Sequence, residues 1–88
     1  MITIDKEHIT RLMLIEAYSE RHKAKEKVKF FEKKYNIGLH DFQLQLKNAD
    51  EEDFCAFDDY MEWKAYENYL SDIEHRIKEL RSGNIQVA

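Results

Sequence analysis

Four histidines, one cysteine and 18 acidic residues are the side chains here that could do chemistry, and their spacing decides what kind. Asp72 and His75 stand three apart, which puts both on one helical face, as in a metal-binding acid–histidine pair. A carboxylate-bridged two-metal centre needs a second such pair, and Ser19 occupies the place that would serve His22. No paired cysteines and no HxxxH spacing are present to hold zinc. Cys55 lies beside Phe54 and among acids, surroundings that do not activate a nucleophile, and is expected to be a buried, inert thiol. Gly38 and Gly83 are the only glycines, too few for a phosphate-cradling loop. Neighbouring carboxylates such as Asp58 and Asp59 diverge by about 100° on a helix and form no acid–base pair. These residues predict a protein that is not an enzyme and carries no metal or cofactor.

The elements that position these side chains are written in two apolar rows. Leu14, Ala17, Arg21, Ala24, Val28, Phe31 and Tyr35 alternate in steps of three and four. So do Trp63, Tyr66, Leu70, Ile73, Ile77 and Leu80. Rows of this kind put side chains on one helical face, where they fit a partner helix. They predict an all-α fold: one domain over 1–88, a long antiparallel helical hairpin with a short helix at its bend. Helices are expected at about 5–35, 40–47 and 51–82. Thr3 or Asp5 can cap the first, Gly38 supplies its left-handed end, Asp50 and Asp53 open the third, and Gly83 stops it. Folded about the middle helix, residue i should face residue 87 minus i, so Phe31 faces Ala56 and Arg21 faces Tyr66. Ile2–Ile4 and Ile85–Val87 alternate like short extended tips, which would meet at the open end of the rod.

Composition supports long helices: charged residues are 36% of 88, and proline is absent. A lone cysteine excludes an internal disulfide and suits a reducing cytosol. No basic segment followed by an apolar run and no stretch of about 18 apolar residues occurs, so a cytoplasmic chain without a membrane span is expected. The net charge of −4 argues against general attraction to nucleic acid. Locally, Arg21–Lys34 holds seven basic residues against Glu26 and Glu32, and Asp50–Glu62 holds seven acids and no base. The hairpin is expected to lay these blocks side by side, where they neutralise each other and fix the orientation.

Apolar residues outside the rows point to a partner. Ile9, Leu12, Met13 and Ile15 make the start of the first helix apolar nearly all round. Phe54, Phe57, Tyr60 and Met61 widen the face where the third begins, and the middle helix is expected to cover them. Trp63 and Tyr66, with Tyr60 and Tyr69 off the row, form the densest aromatic band. Tyr60 and Tyr69 are the rings expected to turn outward as contact residues.

The run Phe31-Glu32-Lys33-Lys34-Tyr35, then Ile37-Gly38 and Phe42, is followed by Asp58-Asp59-Tyr60-Met61-Glu62-Trp63-Lys64-Ala65-Tyr66-Glu67. It resembles a group of small prokaryotic helical proteins with an FEKKYG-like segment and a DDxxEWxAY-like segment. The resemblance spans about residues 28–70. Leu39-His40-Asp41 departs from it, where the group favours a Ser-like cap. Members of that group look like antitoxin partners in two-gene toxin–antitoxin systems. The resemblance implies a chain that neutralises a cognate toxin protein by direct binding, and it carries over no catalytic residue. Asp58, Asp59, Tyr60, Trp63 and Tyr69 would contact the toxin. Ile9, Leu12, Met13 and Ile15 would dimerise or dock. The alternatives are a structural homodimer forming a four-helix bundle, and a nucleic-acid binder using 21–34.

Overall fold

In a computed structural model, which describes residues 5–83, the chain is an all-α hairpin of three helices. Helix α1 runs Lys6–Tyr35, α2 Leu39–Asn48 and α3 Phe54–Ser82. The rod measures 65 × 19 × 18 Å. The expected tips at 2–4 and 85–87 lie outside the described residues. Asp5 caps α1 by accepting the His8 N–H at 2.8 Å. Asp53 caps α3 by accepting the Ala56 N–H at 3.1 Å, so α3 begins at 54 and not at 51. Asp50 and its neighbours belong to the connection.

The first turn-off corrects one expectation. Asn36, not Gly38, takes the left-handed conformation (φ 55°, ψ 32°), and its N–H bonds Glu32 O at 2.7 Å. Asparagine tolerates this region because its short polar side chain bonds locally. Gly38 is extended (φ −79°, ψ 165°) and opens α2 without a side-chain cap. At the other end Gly83 stops α3 as expected, in the left-handed conformation (φ 78°).

The two rows meet, and their cores fall into two clusters. At the bend, Val28, Phe31, Phe42, Ala56, Tyr60 and Trp63 are buried. Trp63 stacks on Phe31 (ring centroids 5.8 Å apart) and on Tyr35 (6.3 Å), with Phe42 tilted against it at 5.6 Å. Towards the open end, Ala17 and Ala24 of α1 lie with Ile73, Ile77 and Leu80 of α3. Small residues on one helix make room for branched ones on the other.

The pairing is shifted along the rod. Lys34 with Asp59 and Lys27 with Tyr66 add to 93, and Phe31 stacked on Trp63 adds to 94, where 87 was expected. The slip is about one heptad. It moves the acidic block towards the bend, past most of the basic block. Only Lys34–Asp59, at 2.6 Å, bridges the helices among the described residues; the Arg11–Glu7 pair and the contact of His75 Nε2 with Glu79 are local. The expected charge zipper is thus one bridge.

Candidate protein-binding surface

The bridge at the bend is backed by a hydrogen bond, because the Tyr35 hydroxyl donates to the same Asp59 carboxylate that receives Lys34. Hydrogen bonds from Lys34 and then Tyr35 hold Asp59 below the ordinary carboxylate range, against the opposing effect of burial. Burial first, and then the bond to Asp59, pushes Tyr35 up to about 12. Asp59 is therefore committed within the hairpin. Asp58, one residue earlier, is exposed.

The aromatic band turns inward more than its spacing suggests. Trp63 is fully buried, and its indole Nε1 has no hydrogen-bond partner. Tyr60, off the heptad row and expected outside, is buried too, because Phe42 of α2 packs edge-on against it at 6.4 Å. Tyr69 is exposed. Nine residues at about 100° each put it half a turn round α3 from Tyr60, on the side away from α2. At the open end, Leu12 and Ile15 are exposed, while Ile9 and Met13 are half-buried.

The largest departure concerns Phe54, Phe57 and Met61, which the middle helix was expected to cover. They remain 74%, 54% and 54% exposed. Their spacing of three and four makes one stripe, about half a turn from the row through Trp63, Ile73 and Ile77. Helix α2 packs beside that core row, with Phe42 against Tyr60 and Trp63, and leaves the stripe more than half exposed. Phe54 and Phe57 join Leu46 and Ala49 in a hollow of about 280 Å³, edged by Glu51, Glu52 and Asp53. With Asp58 and Glu62, five acids surround the stripe, and no Lys or Arg lies between Lys47 and Lys64. The widened apolar face was legible in the sequence. Its exposure was not, because that depends on where α2 lands.

His75 Nε2 lies 3.1 Å from Glu79 rather than joining Asp72 in a ligand set. Among the described residues no group of three His, Cys, Asp or Glu could hold a metal ion. Cys55 is exposed rather than buried beside Phe54. No helix among the described residues is long and apolar enough to cross a membrane. Comparison of the chain with models of protein families, with curated proteins and with solved structures finds no match.

Proposed function

We propose that this chain is a non-catalytic protein-interaction module of the cytoplasm that binds a cationic, apolar segment of a partner protein at the bend of its hairpin. The supporting observation is the stripe Phe54, Phe57 and Met61, each more than half exposed and surrounded by acids. Exposed large apolar side chains in one stripe mark a contact surface. The acidic surround selects a basic partner and repels acidic ones. The resemblance around residues 28–70 supports the reading of that partner as a small toxin and of this chain as its antitoxin. Of the residues expected to touch it, exposed Asp58 keeps that role at the bend. Asp59, Tyr60 and Trp63 instead build the bend that holds the stripe in place.

The test is co-expression with the product of the neighbouring small gene in the native genome. Growth arrest by that product should be relieved by the chain and not by its Phe57→Asp/Met61→Asp variant, with the two proteins co-purifying only in the first case. No relief by the unaltered chain removes the antitoxin reading. Relief that the double variant retains removes the bend as its site.

A further inference from the structure

The geometry points to a second copy of this chain docking on the side of the hairpin opposite α2, forming a two-fold antiparallel four-helix bundle. That side carries a groove of about 740 Å³ between α1 and α3, with Ala24, Lys27, Phe30, Tyr66 and Tyr69 among its walls. Phe30 is 57% exposed there, although it packs edge-on against buried Phe31.

The occupant is identified by the order of charges. Glu16, Glu20, Lys23 and Lys27 are spaced four, three and four, which places them on one face of α1. Glu20, Lys23 and Lys27 line the groove, and Glu16 lies about one turn before Glu20 on the same face of α1. Read along the helix, the face is acid, acid, base, base. Such a face is its own complement when reversed. A two-fold axis crossing α1 between Arg21 and His22 sets Glu20 against Lys23 of the second copy and Glu16 against Lys27. Both pairs add to 43, and so does Phe30 with Met13, which would cover a half-buried side chain of the open end.

The other helix must accept the same axis. The same axis lays α3 on α3 of the second copy. Since partners across the hairpin add to 93 or 94, contacts on α3 must add to 143–145. Tyr69 and Arg76 add to 145, share one face of α3, and form a cation–π pair when opposed. Contacts on α3 are thus compatible with the operator read from α1. The contact is isologous and closes on itself, every helix is antiparallel to its neighbours, and α2 lies clear on the far side. The bend stripe also stays free, so this dimer does not depend on the proposed partner.

Sedimentation equilibrium of the full chain tests the pairing. The unaltered chain should have the mass of a dimer, twice 10.7 kDa. Glu16→Lys/Glu20→Lys and Lys23→Glu/Lys27→Glu each set like charges together and should weaken dimerisation by about tenfold or more. An equimolar mixture of the two variants should restore it, as should one chain with all four charges reversed. A monomeric unaltered chain overturns the inference. So does a dimer indifferent to both reversals, or reversals that neither the mixture nor the fourfold variant repairs. The restored species also separate lost pairing from lost folding. Phe57→Asp/Met61→Asp should leave the dimer intact, so failure here and failure of the bend site are read separately.

Discussion

At the bend, five aromatic rings from three helices, Trp63 among them, interlock; towards the open end, two alanines of α1 lie against Ile73, Ile77 and Leu80 of α3. The bend adds a capped α3, a left-handed Asn36 and a bridge to Asp59 that is bonded twice. The open half has two layers and little aromatic area. A hairpin built this way is braced at one end and thin along the rest. The groove beside Phe30 and Tyr69 runs from the edge of the bend core to Ala24 of the thin part, and a second copy there would add the missing layers. Amide exchange is expected to be slowest around Phe31 and Trp63 in the monomeric charge-reversal variants.

Removing the indole strikes the braced end hardest. Trp63→Ala deletes a fully buried ring that stacks on Phe31 and Tyr35, and should cost about 3–5 kcal/mol in urea denaturation. That is a large share of the stability of so small a domain. The corresponding insult at the thin end is overpacking. Ala24 is 1% exposed, and Ala24→Leu should cost about 1–3 kcal/mol by pushing α1 off α3. If Ala24→Leu proves worse than Trp63→Ala, the bend is not the braced end.

Acid should loosen the bend through Asp59. Its folded pKa is depressed, so its contribution is fully present above the pKa it has when unfolded, and is lost as pH falls through the folded value. Lys34 is half exposed, so solvent screens part of this effect. Thermal melts of the unaltered chain and Asp59→Asn should differ at neutral pH and converge as acid protonates Asp59. A gap in melting temperature that stays constant down to strong acid would exclude the carboxylate as the brace.

The contrast between the two ends was only half legible in the sequence, for a reason built into heptads. A row stepping by three and four maps onto itself after a slip of seven. It therefore specifies which faces of α1 and α3 meet, and both rows do meet, but not which residues oppose each other. The pairing is set by rings that must interlock, with Trp63 against Phe31 and Tyr35, and by Asp53 rather than an earlier acid capping α3. The slip then undid the expected neutralisation of Arg21–Lys34 by Asp50–Glu62. Tyr60 shows the same limit on the candidate site. Its position off the row turned it from α1, as its spacing implied, but only the landing place of α2 shows that it is buried. Phe54, Phe57 and Met61 escape burial for the same cause. Asp58 and Tyr69 needed no such knowledge, since they lie on flanks that neither core uses.

The smallest expected effects separate the ends by sign. Gly38 is extended, nothing lies within 4 Å of where its Cβ would be, and α2 starts there without a side-chain cap. Gly38→Ser fits that backbone, restricts the unfolded chain and supplies an oxygen for a free N–H of the first turn. It should stabilise the bend by about 0.5–1 kcal/mol. Gly83 has equal open space but a φ of 78°, so the same substitution there forces a Cβ into the left-handed region. Gly83→Ser should destabilise by about 1 kcal/mol. Space around a glycine is the same at both ends; backbone conformation alone decides the sign. If both substitutions stabilise, α3 does not end in the left-handed turn described, and the last turn of the thin end has to be redrawn.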